Sequence, residues 1–140
     1  MNAKKAKLPL EQLLRHMARA IARIAEDVAE IDRQTFLSDT VAGRRMRDTC
    51  ILNIGHIGEI ANDIRVQFPD FAAANPQLPF EAIYAMRNIL FHGYHSIDDE
   101  IVWQTATTDI PKLGLEVQAA QAKLGLALQA PAAKPPDSKR

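Results

Sequence analysis

Between Leu10 and Ile31 the apolar residues Leu10, Leu13, Leu14, Met17, Ile21, Ile24, Val28 and Ile31 recur at steps of three and four. That period lays them on one face of a long helix, and one helix cannot bury such a face alone. The rest of the chain must supply matching faces, and it does so with the same period. Val41, Ile51, Ile54, Ile57, Ala61, Ile64 and Phe68 mark a second stripe, behind the cap-type residues of Thr35-Phe36-Leu37-Ser38-Asp39-Thr40. A third helix is expected to begin at Pro79, to turn Ile83, Met86, Ile89 and Leu90 inward, and to end or bend at Gly93. Ser96-Ile97-Asp98-Asp99 has the spacing of a capping box, with Asp in the place of Glu or Gln. It opens a short fourth helix carrying Ile101, Val102, Trp103 and Ala106. Asp109-Ile110-Pro111 starts a fifth, whose stripe is Leu113, Val117, Ala120, Leu124 and Leu128. No segment shows strand alternation or hairpin turn chemistry. The expected fold is all-α, an antiparallel bundle of four main helices plus a shorter one.

The helix breakers set the boundaries. Pro9 suits the first turn of the first helix, and Pro69 is expected to close the second. From there to Pro79 the chain reads as an irregular connection. Gly55 and Gly58 lie inside the second stripe, where glycine weakens a helix, and their expected use is close approach of a neighbouring helix. Residues 1–8 form a basic N-terminal segment, residues 9–129 the helical bundle, and residues 130–140 a tail with nothing to bury, expected to be disordered.

A chain of 140 residues suits one domain with a core of its own. The single cysteine, Cys50, excludes an internal disulfide framework and suits a reducing cytoplasm. No apolar run approaches the roughly 20 residues needed to cross a bilayer, and no apolar signal segment follows the basic start. A cytoplasmic protein with no membrane partner is expected. Seventeen basic residues balance seventeen acidic ones, so net charge lends no support to non-specific nucleic-acid binding. Arg15, Arg19 and Arg23 form a basic ridge on the first helix, and Arg44, Arg45 and Arg47 cluster near the start of the second. Both read first as solvated faces.

Chemistry concentrates in Met86-Arg87-Asn88-Ile89-Leu90-Phe91-His92-Gly93-Tyr94-His95. His92, His95 and Asp98 are spaced like a ligand row, yet a turn at Gly93 would scatter them, and there is no paired-cysteine motif. Cys50 reads as a small buried hydrophobe, and no glycine-rich phosphate loop follows a strand. What remains is Arg87, a permanent cation able to fork onto a phosphate, and His92, able to move a proton near neutrality. Asn88 lies one turn before His92, and Tyr94 would return beneath Arg87 if the helix ran on. On an ideal helix Arg87 and His92 diverge by about 140°. Either the helix unwinds near Gly93 or a second subunit completes the site. Such a set fits metal-free RNA cleavage by attack of the ribose 2′-hydroxyl. Equally, Arg87 and Asn88 can serve as interhelix hydrogen-bonding groups, with His92 capping the helix end.

Arg87-x4-His92-x-Tyr94 resembles the R-x4-6-H-x-Y motif of the HEPN superfamily, and the surrounding chain resembles its HepT-like branch, the toxin half of toxin–antitoxin pairs. Phe36-Leu37-Ser38-Asp39, Ile57-Gly58-Glu59, Met86-Arg87-Asn88, His92-Gly93-Tyr94, Ile97-Asp98, Ile101-Val102-Trp103 and Asp109-Ile110-Pro111-Lys112-Leu113 look like further landmarks, so the similarity runs from about Leu10 to Leu124. Phe80 and Ala85 depart from the tryptophan and glycine common in the family, as packing changes. The resemblance implies a helical bundle that forms a homodimer, with two motif copies flanking a cleft. It implies a metal-independent endoribonuclease with no cofactor, acting on RNA, tRNA among the candidates, with Arg87 and His92 catalytic and Asn88 supporting. It also implies a type VII-like pairing with a cognate nucleotidyltransferase antitoxin that transfers AMP to Tyr94. The alternative is a non-catalytic helical module that binds a nucleotidyltransferase or a nucleotide.

Overall fold

The computed structural model describes residues 8–129, the side chains of Tyr94 and of residues 126–129 apart. The proposed tail and most of the basic N-terminal segment lie outside the described residues. The first stripe folds as α1 (Leu10–Ala29), which buries Leu13, Leu14, Met17, Ala20, Ile21 and Ile24. Pro9 stands just before it as the N-cap, where a missing N–H removes no helical bond. Arg15, Arg19 and Arg23 lie on its exposed side. The cap-type segment that follows contains a short helix the periodicity does not reveal, α2 (Arg33–Phe36), capped by Asp32, whose carboxylate accepts from the Thr35 N–H at 2.8 Å. One turn is too short to show a period. Four residues further on, the Thr40 hydroxyl accepts from the Gly43 N–H and opens α3 (Val41–Gln67).

α3 is the axis of the molecule. It packs along α1 on one side and against α5 (Phe80–His92) on another, and α1 in turn packs on α7 (Ile110–Gln129). Ile54, Ile57, Ala61 and Ile64 of α3 are buried, but Val41 is exposed, while Gly43 in the same turn packs against the Thr35 and Ser38 carbonyls. Pro69 does not simply close α3. It opens a further short helix, α4 (Pro69–Ala74), since proline is as well suited to the first turn of a helix as to the stop of another.

α5 ends at Gly93, whose N–H still donates to the Ile89 carbonyl at 2.9 Å, and a 3₁₀ turn (Tyr94–Ser96) follows. Ser96 lies in that turn and caps nothing. The cap of α6 (Asp99–Gln104) is Asp98, which accepts from the Glu100 N–H at 3.0 Å. The expected break at Asp109-Ile110-Pro111 is absent. α6 runs through a π-helical turn (Thr105–Asp109) straight into α7, and the Ile110 N–H reaches back to Thr105. A wide π turn makes room ahead of a proline ring that would collide with an ordinary α-helical turn.

Charged groups bind these pieces together. Arg47 of α3, mostly buried, donates from Nη1 to the carbonyls of Phe36 and Ser38 (the latter at 2.8 Å), and its Nε faces Asp99 Oδ2 at 3.3 Å. One side chain therefore ties α3, the end of α2 and the start of α6. Phe36, fully buried, packs at a tilt against Trp103 with ring centroids 4.9 Å apart. The fold is all-α as expected, with no strand among the described residues. α5 leans on α3 and is set apart from α7 by a cavity of about 350 Å³ lined by Ile54, Ile83, Met86, Ile110 and Leu113.

Candidate active site

All three of Arg87, Asn88 and His92 stand on α5, and what fixes their directions is the crossing with α3. A Cβ built on Gly58 would lie 2.3 Å from Arg87 Cβ, and one on Gly55 would lie 2.4 Å from the Phe91 ring. Both glycines thus serve the close approach expected of them, and that contact seats Arg87 and Phe91 one turn apart against α3.

Arg87 is held on three sides. Its Nε faces Glu59 Oε1 of α3 at 3.1 Å, its Nη1 donates to Asn88 Oδ1 at 3.0 Å, and its guanidinium lies over the Phe91 ring, 4.8 Å from the centroid. Neither Arg87 Nε nor Glu59 Oε1 has accessible surface or an aligned hydrogen bond, so the two atoms meet as a closely packed ion pair. Asn88 thus bonds within α5, and the interhelix contact of Arg87 is an ion pair in place of the hydrogen bond open to it from sequence. It leaves the rest of the fork uncommitted, because a guanidinium carries five N–H donors.

His92 is exposed in the last turn of α5, without a hydrogen bond or ion pair among the described residues. It does not cap the helix by its side chain. The cap bond is the backbone one from Gly93. Tyr94 follows in the 3₁₀ turn, so the helix does not continue past Gly93; its side chain lies outside those described.

The helix is unbroken from Arg87 to His92, and unwinding begins only beyond both. Five residues at 100° each keep them about 140° apart around the axis. Phe91 and Asn88 occupy the arc between, the former 40% exposed. Ile89, expected to point inward, is instead 63% exposed, because it lies about 160° around α5 from Arg87, which packs on α3. A groove of about 430 Å³ runs beside Phe91, lined also by Arg47, Ile51, Leu52, Leu90 and Ile97. Among the described residues no three of His, Cys, Asp and Glu are grouped closely enough to hold a metal ion, and His92, His95 and Asp98 form no such set. No helix among them is long and apolar enough to cross a membrane.

Sequence reasoning named Ile57-Gly58-Glu59 as a landmark but gave Glu59 no role. The signal was its neighbour: a glycine that admits another helix brings the adjacent side chain within reach of it. Cys50 is inert in this setting. It is fully buried, and desolvation first, then the nearby Asp27 charge, push its thiol up to about 11.

A model of the family described as Ribonuclease HepT-like matches residues 17–120, a span that includes all of α3, α5 and α6. The chain belongs to the HepT-like ribonuclease family. Among its curated relatives, a protein of Thermococcus cleftensis named "Probable ribonuclease HepT" is 32% identical over 93 residues, 66% of this chain and 82% of the relative. A candidate RNase of Methanocaldococcus jannaschii is 30% identical over 102 residues, 70% of this chain and 87% of the relative. A candidate RNase of Caldanaerobacter subterraneus is 26% identical over 105 residues, 75% of this chain and 88% of the relative. No solved structure matches the chain significantly. The HepT-like match spans the whole Arg87–Tyr94 segment and the α3 stretch that carries Gly58 and Glu59.

Proposed function

We propose that this chain is a metal-independent endoribonuclease, the toxin of a type VII-like toxin–antitoxin pair, with Arg87 and His92 as its catalytic residues. One observation carries the reading. Within a HepT-like chain, a half-buried arginine is braced with donors to spare, and an exposed histidine stands on the same helix. In the reaction the 2′-oxygen bonds to the adjacent phosphorus and the bond from phosphorus to the 5′-oxygen breaks. A base takes the 2′-hydroxyl proton and an acid supplies one to the leaving oxygen, and His92 suits either part. Charge gathering on the phosphoryl oxygens is met by Arg87, whose bidentate geometry suits them. Asn88, bonded to Arg87 Nη1, keeps the guanidinium from rotating.

The angle between Arg87 and His92 supports a homodimer. Two copies of α5 facing across a cleft bring the arginine of one opposite the histidine of the other. The partly exposed Phe91, on the arc between Arg87 and His92, gives that face something apolar to bury. Silencing by a nucleotidyltransferase antitoxin follows the same chemistry. The Tyr94 phenol attacks the α-phosphorus of ATP, pyrophosphate leaves, and the bound AMP places a phosphate and a nucleoside two residues from His92.

The test is cleavage of cellular RNA, tRNA included, by purified wild type and His92→Ala, each with and without EDTA. Wild type is expected to cut RNA, to spare the same sequence as DNA, and to keep its rate in EDTA. His92→Ala is expected to lose at least ~10²-fold. Equal treatment of RNA by both proteins sinks the ribonuclease reading, and loss of activity in EDTA sinks its metal-free part. Intact-mass measurement after incubation with the antitoxin and ATP tests the modification, which fails if no AMP adduct maps to Tyr94.

A further inference from the structure

A guanidinium can offer an oxyanion two edges, one beginning at Nε and one between the two Nη atoms. In this chain the first is closed. Arg87 Nε stands 3.1 Å from Glu59 Oε1, neither atom has accessible surface, and Gly58 lets α5 approach α3 closely enough to enclose them. One face of the same plane is covered by Phe91, and one hydrogen of Nη1 is taken by Asn88. The remaining N–H groups lie toward the free end of the fork.

We propose that Glu59 is the positioning residue of the site: by occupying the Nε edge of Arg87 it makes the end of the fork the one that meets the phosphate. The inference rests on the ribonuclease reading of Arg87 and deepens it. Two features of the pair favour this role over a simple brace between helices. First, a brace needs only opposite charges, and exposed ion pairs elsewhere supply that, such as Arg33 with Glu100 and Arg44 with Asp39. The Arg87–Glu59 contact instead buries the two facing atoms while leaving the carboxylate's side chain about half exposed. Secondly, the contact is built from the backbone outward. Gly58 sets the helix separation, Glu59 is the next residue, and Arg87 is the side chain whose Cβ and Cγ lie against Gly58. A carboxylate so close also tempers the field of Arg87, so a phosphate must be drawn by geometry as well as by charge.

The role separates orientation from charge, and three variants test it. Glu59→Ala empties the Nε edge, Glu59→Gln fills it with the same shape but without the charge, and Glu59→Asp keeps the charge but withdraws it by one methylene. Full-length proteins are compared for kcat and KM on a single-stranded RNA, with urea midpoints measured alongside. Glu59→Ala is expected to lower kcat by ~10- to 100-fold, as a misplacement of about 1 Å does. KM should stay level or fall, since Arg87 loses a competing anion. Glu59→Gln should recover most of kcat, and Glu59→Asp should resemble Glu59→Ala. Wild-type kcat in Glu59→Ala or Glu59→Asp overturns the proposal, and so does a loss that Glu59→Gln does not recover. A loss lying wholly in KM also overturns it. If wild type cuts RNA and His92→Ala does not, any of these results removes the role of Glu59 alone. A wild type that cuts no RNA removes the ribonuclease reading and this inference together.

Discussion

Single side chains in this protein owe their chemistry to what surrounds them, and Cys50 and His92 mark the extremes. Both are capable nucleophiles or bases in water. Cys50 sits with no exposure in the α3 core, its thiol pushed up to about 11 by burial and by the Asp27 charge. Each unit by which the pH lies below that value leaves about tenfold less thiolate, so alkylation near pH 8 should be far slower than for a free thiol. It should rise as the pH approaches 11 and jump on unfolding in urea. Timed labelling with iodoacetamide, read by intact mass, checks this, and rapid labelling of the folded protein at pH 8 contradicts it. His92 has the opposite setting, exposed at a helix end. The residue types and spacing of the Arg87–Tyr94 segment were legible from the sequence alone. The partner of Arg87 was not. Glu59 lies on another helix, and only the crossing of α3 with α5 brings it to 3.1 Å.

At the level of helices, the crossing is decided by two glycines that differ in what opposes them. A methyl on Gly58 meets Arg87 Cβ at 2.3 Å, an atom that moves only with the α5 backbone. A methyl on Gly55 meets Cε1 and Cζ of Phe91, the far end of a partly exposed ring that can swing away. Alanine gains about 1 kcal/mol of helix propensity over glycine at either place. Gly58→Ala should nevertheless lose about 1–2 kcal/mol net, because overpacking costs more than that gain. Gly55→Ala should stay within about 0.5 kcal/mol of wild type while shifting Phe91 from beneath Arg87. Urea denaturation of both variants decides it, and equal midpoints for the two would falsify the distinction. The period of three and four found α1, α3, α5 and α7, each long enough to repeat. It could not find α2 or α4, and it misjudged the join before α7. Pro111 reads as a helix start in sequence, whereas in the fold a π turn carries the helix through.

On the scale of the whole molecule, the unbroken α5 is the fact with the widest consequence. It keeps Arg87 and His92 on different sides of one helix, so a site using both is expected to be shared between two copies. Arg87→Ala and His92→Ala should each be inactive alone. Mixed after partial unfolding and refolding together, they should regain a substantial fraction of wild-type cleavage, since one of the two Arg87–His92 pairs across the cleft of each mixed dimer is intact. A mixture no more active than its parents places both residues in one chain's site, and sedimentation as a monomer argues the same way. By itself the sequence determined the all-α class and the main helices and singled out the segment proposed to carry the chemistry, because apolar period, caps and residue type are local properties. Tertiary structure decided the rest: that Glu59 braces Arg87, that Ile89 faces outward on the side of α5 away from α3, and that the Arg87 helix runs straight through His92. Those depend on how far apart helices pack and on which side of each is covered, and no local pattern specifies that.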